Sequence, residues 1–197
     1  MSATSATRPL PVTLTGDHVR VEPLALHHLD DLFAAGGDDD EVWRWLGSRT
    51  PRTPRELETR LAALLAEESC VPFAVIHLAS GRAIGWTTYL DIDVEHERLE
   101  IGSTWYGRAH WRSAVNTETK LLLLTHAFEE LGMGRVQLKT DHLNERSQKA
   151  ISRLGAHHEG ILRRHRRRPD GTWRDTVYFS LLADEWPETK ARLEGWL

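Results

Sequence analysis

The order of apolar and polar positions predicts a chain that mixes strands and helices. His18–Leu24 sets Val19 and Val21 against Arg20 and Glu22, the alternation of a strand. Leu26, Leu29, Leu32 and Phe33 recur at helical spacing over Leu26–Ala35, and Gly36-Gly37 ends that helix. Thr53, then Pro54, then Glu56 three residues after the threonine, is a helix-start signature. Leu57, Leu61, Leu64 and Leu65 make the stripe this helix is expected to bury. Phe73–Leu78 and Ile84–Leu90, joined through Ser80-Gly81-Arg82, read as a hairpin, and Arg98–Tyr106 as a further strand.

A long helix is predicted from Asn116 to Leu131, with Leu121, Leu124, Phe128 and Leu131 on one face and Gly132 and Gly134 at its end. Arg135–Thr140 is a strand. Asn144 caps the next helix, which stops at Gly155, a position suited to a left-handed C-terminal cap. His158–Arg167 and Thr172–Leu181 flank the turn Pro169-Asp170-Gly171. Asp184–Leu197 closes the chain, with Trp186-Pro187 as a helix start. Strands and helices interleave, so the fold class is α/β or α+β. Two strand–helix crossovers between residues 98 and 157 predict local parallel pairing.

Composition narrows the setting. A chain of 197 residues can bury one sizeable core. Residues 1–13 are small, polar and dotted with proline, so a flexible tail is expected ahead of a single domain over residues 14–197. The tail has no apolar core of a signal peptide, and no apolar run approaches the roughly 20 residues that span a bilayer. At 40% hydrophobic and 27% charged, the composition is that of a soluble globular chain. A net charge of −4 gives no sign of a nucleic-acid partner and mildly favours an amine. Cys70 is the one cysteine, which excludes an intrachain disulfide and fits a cytoplasmic location. The histidine pairs His27-His28 and His157-His158 are poorly spaced for one ion, so no metal is expected.

Three segments carry chemistry. Trp111-Arg112-Ser113-Ala114-Val115-Asn116-Thr117 leads from a strand into the long helix. Small side chains before a helix N-terminus let an anion approach free N–H groups, so this is a phosphate site or an ordinary strand–helix loop. Asn144 and Ser147 open the next helix, with Ser147 on the stripe of Ile151 and Leu154. The serine is a ligand contact or a small core residue bonded to the preceding turn. Glu100 stands inside a central strand, where a carboxylate needs an ion-pair partner or a role as base. Strict alternation puts Leu99, Ile101, Ser103 and Trp105 on one face, and Glu100, Gly102, Thr104 and Tyr106 on the other.

The run Leu99–Asn116, the helix with Glu118 and Lys120, the segment Thr140-Asp141 through Asn144, Ser147 and Leu154-Gly155-Ala156, and the late Glu159-Gly160, Pro169-Asp170-Gly171 and Arg174-Asp175-Thr176 together resemble the GNAT acetyltransferases, in the RimJ/RimL-like branch. The likeness covers residues 17–190. It implies a twisted mixed sheet whose central strands, Arg98–Tyr106 and Arg135–Thr140, are parallel and splayed at their C-terminal ends. It further implies acetyl-CoA as co-substrate. Pantetheine would bond backbone near Trp105 and Tyr106, and pyrophosphate would meet the N–H groups of Arg112, Ser113, Ala114, Val115, Asn116 and Thr117. Asn144 would contact the pantetheine arm. By the same likeness Glu100 would act as base through water, backbone near Trp105 would steady the oxyanion, and Ser147 would serve the leaving thiolate. Two departures stand out: Ala114 and Asn116 replace the usual glycines, and Ile151 replaces a tyrosine acid.

The same resemblance implies a primary amine of a small molecule or a protein N-terminus as acceptor, and places Trp43 and Trp45 where the family shapes its acceptor pocket. The run Arg163-Arg164-His165-Arg166-Arg167-Arg168 is a solvated hairpin or ion-pair contact, or it meets phosphate or RNA. Asp38–Glu41 is a solvated loop or a collector of cations. Two other functions stay open: an acyl-CoA sensor with little turnover, supported by the two departures, and an RNA- or ribosome-associated accessory protein, resting on the arginine run. Exposed late strands and a Trp-rich C-terminus are consistent with a homodimer.

Overall fold

Eight strands form one sheet in a computed structural model that describes residues 6–197. They are β1 (Leu14–Thr15), β2 (Val19–Pro23), β3 (Val71–His77), β4 (Arg82–Asp93), β5 (Arg98–Tyr106), β6 (Arg135–Asp141), β7 (His157–Arg167) and β8 (Trp173–Leu182). Their order across the sheet is β1-β2-β3-β4-β5-β6-β8-β7. Neighbours are antiparallel throughout except β5 and β6, which are parallel, as the crossovers predicted. That parallel pair is short: Arg98↔Arg135, Leu99↔Val136 and Glu100↔Gln137 are in register, and beyond them the strands part.

The helices are α1 (Leu29–Leu32), α2 (Asp40–Trp43), α3 (Pro54–Leu65), α4 (Ala114–Thr125), α5 (Glu145–Arg153) and α6 (Trp186–Glu194). Thr53 caps α3 as expected, its hydroxyl accepting the Glu56 N–H at 3.3 Å, while Glu56 reaches the Arg52 N–H at 2.8 Å. Leu57 and Leu61 are fully buried, but Leu65 is 38% exposed, so the buried stripe is narrower than the leucine pattern suggested. The predicted helix over Leu26–Ala35 is broken into a 3-10 turn, one α turn and a wide turn through Gly37. Its start is set by the Ala25 N–H, which donates to the His28 ring at 3.1 Å. Helix α4 begins two residues earlier than expected, because Ser113 rather than a later residue caps it. Gly155 ends α5 with φ 94, the left-handed cap predicted for it.

Two apolar layers sandwich the sheet. Phe73, Tyr89, Leu99 and Ile101 pack with Leu123 and Leu124 of α4 and Leu193 of α6. On the other face Trp43, Trp86 and Trp105 meet in one cluster with Leu57 and Leu61. Their ring centroids are 5.0 to 5.6 Å apart, the spacing of favourable aromatic contacts. Trp105 is therefore on the opposite face from Leu99 and Ile101, contrary to strict alternation. The cause is a bulge: Thr88 pairs with Gly102 and Trp86 with Trp105, so Ser103 and Thr104 together oppose Thr87. One extra residue inverts every side chain after it.

The N-terminal segment is fixed more firmly than its composition suggests. Pro9 is buried, Ala6 and Val12 pack on the first layer, and the Thr7 N–H bonds the Leu131 carbonyl at 2.9 Å. The flexible tail expected over residues 1–13 thus fails for residues 6–13, while residues 1–5 lie outside the described part. Just beyond, the buried Glu118 carboxylate of α4 accepts the N–H groups of Asp17, His18 and Val19, each at 2.7 Å. Gly16 lies against that carboxylate, where a Cβ would collide. Among the described residues no helix is long and apolar enough to cross a membrane.

Removing Glu118 orphans three backbone donors at once, where each buried unmet donor costs about 1–3 kcal/mol. Glu118→Ala is expected to lower unfolding free energy by about 3 kcal/mol in urea titration, with Glu118→Gln losing about half as much. A loss under about 1 kcal/mol for the alanine variant would show that water replaces the carboxylate.

Candidate active site

Where β5 and β6 separate, a cleft of about 1560 Å³ opens. Typical small-molecule sites hold roughly 300–1,000 Å³, so there is room here for a long ligand and a second one beside it. The β6-facing backbone of β5 beyond Glu100 has no strand partner, and both Trp105 and Tyr106 line the cleft. Ser103, at the bulge, sits at φ 50, a left-handed angle that costs a non-glycine residue about 1–2 kcal/mol. The left-handed residue is Ser103 itself, while the adjacent Gly102, a lone glycine inside a strand, is the one local mark of a bulge.

The N-terminus of α4 faces the same cleft through Ser113, Ala114, Asn116 and Thr117. The Ser113 hydroxyl caps the Val115 N–H at 3.4 Å and itself donates to the His110 carbonyl at 2.7 Å. Ala114 and Asn116 lie in the first turn of α4, so neither needs the left-handed angle for which glycine would be required. That angle falls on Arg112, with φ 61. Ala114 and Asn116 thus stop being departures that weaken an anion site, since first-turn N–H groups remain free to bind. Val115 is buried and packs in the first layer, contributing its backbone alone.

Helix α5 forms the opposite wall. The Asn144 side-chain oxygen accepts the Ser147 N–H at 3.1 Å, and both residues line the cleft. Capping occupies that oxygen and leaves the amide N–H₂ for a ligand. Ile151 is 7% exposed and belongs to the core. At the mouth, the Arg146 guanidinium lies 3.5 Å from the centroid of Trp111, whose indole donates to the Tyr106 carbonyl at 2.8 Å. This stack was not foreseen, although Trp111 and Arg146 flank the two motifs that were.

Glu100 sits at the apex where the strands part and is 1% exposed. Its Oε2 takes Lys139 Nζ at 2.6 Å and Gln137 Nε2 at 3.0 Å, so the ion-pair partner lies on β6. Burial pushes this carboxyl above its ordinary value, against the pull of Lys139 and Gln137. Lys120 of α4 is also buried and donates to Thr104 Oγ1 at 3.1 Å. Burial lowers its ammonium to about 7, with Glu100 pulling the other way. A second carboxylate, Asp141, is gripped by both arms of Arg168 at 2.7 and 2.8 Å. Burial would raise it, but Arg168 and the Leu143 N–H hold it below the usual value.

Trp45 lines the cleft. Trp43 does not: it is 3% exposed, donates to the Gly36 carbonyl at 2.9 Å, and borders a neighbouring groove between α2, α3 and the β7–β8 turn. Among the described residues, Glu22, His27 and His28 are near enough to share an ion, since β2 adds a carboxylate to the histidine pair. His28 nevertheless uses both ring nitrogens, on the Ala25 N–H and on Glu22, each at 3.1 Å.

Residues 18–157 match the family model described as an acetyltransferase (GNAT) domain. A GCN5-related N-acetyltransferase from Brucella melitensis is 34% identical, with a TM-score of 0.94, covering 99% of this chain and 89% of that one. YdaF of Bacillus subtilis (strain 168), a candidate ribosomal N-acetyltransferase, is 32% identical over 118 residues, 57% of this chain and 61% of that protein. The RimJ protein of Mycobacterium smegmatis, solved with CoA-disulfide, shares the fold at 19% identity and a TM-score of 0.81, covering 94% and 95% of the two chains.

Two measurements check this site. Ser103→Gly relieves the left-handed angle and is expected to raise stability by up to about 1 kcal/mol, whereas Ser103→Val, β-branched at positive φ, lowers it by more than that. Equal stabilities would mean the bulge relaxes freely. Lys120 is depressed in the folded state, so the unfolded chain binds the extra proton between pH 7 and its ordinary value near 10.5, and stability rises with pH across that window. Lys120→Met is therefore expected to raise the melting temperature most at pH 6–7 and least near pH 10. A pH-independent gain would show that Lys120 is not buried as a charge.

Proposed function

The chain belongs to the GNAT acetyltransferase family, and we propose that it is an acetyl-CoA-dependent N-acetyltransferase acting on a primary amine in a ternary complex. The acceptor is a small-molecule amine or a protein N-terminus. The observation that carries this reading is the parting of β5 from β6 after Glu100 and Gln137, beside the Ser103 bulge and the N-terminus of α4. Acetyl-CoA would supply an acyl carbon already activated as a thioester.

The residues divide the remaining work. Free N–H groups of Ser113, Ala114 and Asn116, with the Val115 N–H held by the Ser113 hydroxyl and with Arg112 and the cleft-lining Thr117 beside them, suit a pyrophosphate. Backbone of Trp105 and Tyr106, without a β6 partner although Trp111 holds the Tyr106 carbonyl, suits the amide-bearing arm as an added strand would. The Asn144 amide is free to donate to the same arm. N–H groups around the bulge offer donors for charge developing on the acyl oxygen. Ser147 is a hydroxyl without a side-chain partner among the described residues, able to donate to a leaving sulfur. Glu100 keeps Oε1 without a hydrogen bond among the described residues, and its raised carboxyl suits proton acceptance through water. Trp45 suits the acceptor side of the cleft, and Trp43 the adjoining groove.

Calorimetry with acetyl-CoA tests the site. Asn144→Ala should weaken binding about tenfold and also lose about 1 kcal/mol of capping stability. Asn144→Asp keeps the capping oxygen, so its loss of affinity isolates the amide donor. Thiol release against an amine panel tests the reaction: Ser147→Ala should lower kcat with little change in acetyl-CoA affinity. Binding without thiol release for every amine would favour the sensor reading, and no binding would remove the acetyltransferase reading.

A further inference from the structure

The arginine run does not act as one patch. Arg164 and Arg167 bracket the Trp173 ring at 4.6 and 4.5 Å, and Arg168 grips Asp141. Arg163 and Arg166 are left over among the described residues, and of these two the cleft is lined by Arg166. It stands directly across from Arg174 in the β7–β8 register, and both line the cleft. Like charges facing each other across a strand pair are destabilising. Neither forms an ion pair among the described residues, and the one side-chain bond of either is Arg174 Nε to Thr176 Oγ1 at 3.1 Å.

The nearby carboxylates attract them from a distance but form their ion pairs with other cations. Asp141 already holds Arg168, and Glu100 and Asp91 both hold Lys139. The phosphates of a coenzyme are an equally poor match, because a separate cationic group stands at the mouth by α4: Arg112, Arg108 and Arg146. Arg166 and Arg174 instead neighbour Glu100, Asp141 and Asp91, at the apex of the cleft. A pair of unpaired guanidiniums on a cleft wall is a fork for a carboxylate.

We propose that Arg166 and Arg174 form an anion subsite for the acceptor, so that the preferred acceptor is an amine bearing a carboxylate a few bonds away. This rests on the acetyl-transfer reading of the same cleft. The carboxylate would relieve the facing arginine charges, and its amine would lie toward Glu100. Two sources share that chemistry: a free amino acid, or a peptide whose first residue is acidic.

The test uses matched probes with the CoA-loaded protein: alanine against alaninamide, and Glu-Ala-Ala amide against Gln-Ala-Ala amide. The acidic member of at least one pair is expected to bind about tenfold tighter by calorimetry. The first pair reports a free amino acid and the second an acidic peptide. Arg174→Gln is expected to erase the difference while leaving acetyl-CoA affinity unchanged. Arg166→Gln, at an exposed position, gives the same readout should the partly buried Arg174 variant fold poorly. Preference in binding without thiol release would leave the subsite standing and sink the acetyl-transfer reading. Thiol release with no preference for the acidic member overturns the subsite alone. Weakened acetyl-CoA binding in both arginine variants overturns it in favour of the coenzyme. Salt-sensitive binding of a single-stranded RNA oligomer, lost in both variants and without amine preference, overturns it in favour of RNA.

Discussion

The structure depends on two parallel strands that cannot stay together. β5 and β6 are bonded at Glu100↔Gln137 and apart beyond it, and each is held on its other side by an antiparallel neighbour, β4 or β8. Sheet hydrogen bonding therefore continues outward on both sides while the middle opens. Backbone donors and acceptors left without a partner in a protein interior are costly, so they must meet water or a ligand. The helices that follow β5 and β6, α4 and α5, start at the open ends and bring their first turns to the gap. One separation thus supplies a strand edge, two helix N-termini and a wall of side chains.

The bulge at Ser103 is the second device, and it acts on the packing as much as on the site. With the extra residue, Trp105 joins Trp43 and Trp86 in one apolar layer while Tyr106 joins the other. Without it, the end of β5 would present Tyr106 and Trp105 to the wrong layers. The strained angle at Ser103 is held by this burial on both faces. Site and core are in this respect one constraint, since the residue that re-aims the backbone toward the cleft also fills both layers correctly.

Most elements were legible because their signals are local. Thr53-Pro54, the Asn144 cap and Gly155 act within one helical turn, and each works as read. The parallel central strands followed from crossover length. The failures are tertiary. Alternation along β5 gave the wrong face for Trp105 because the bulge falls on Ser103, and Gly102 beside it marks a bulge without fixing where the extra residue goes. Glycines expected at Ala114 and Asn116 were not needed, because the Ser113 cap moved the helix start and shifted the left-handed residue to Arg112. The Glu100–Lys139 pair needs the β5–β6 register, although Gln137 and Lys139 alternate with the buried Val136 and Leu138 in a way that marks their face. The packing of Pro9 and Thr7 against the body is invisible in a segment whose composition reads as a tail.

Charge placement shows why the global balance misleads. The chain carries −4 overall, yet eleven lysines and arginines line the cleft against four carboxylates. The acidic surplus lies outside it. Low-dielectric walls concentrate such a field, so the cleft attracts anions from a molecule that repels them elsewhere. The same field acts on the protein's own groups. Lys139 and Gln137 ease ionisation of Glu100, which burial opposes, and Glu100 in turn favours the charge on Lys120, which burial also opposes. A ligand with several negative charges would offset the burial of Lys120, drawing a proton onto it, and add to the burial of Glu100, making it harder to ionise. Occupancy of the cleft and the protonation of its two buried groups are therefore coupled, and a carboxyl that an anionic ligand makes harder to ionise is a stronger base in its ionised form.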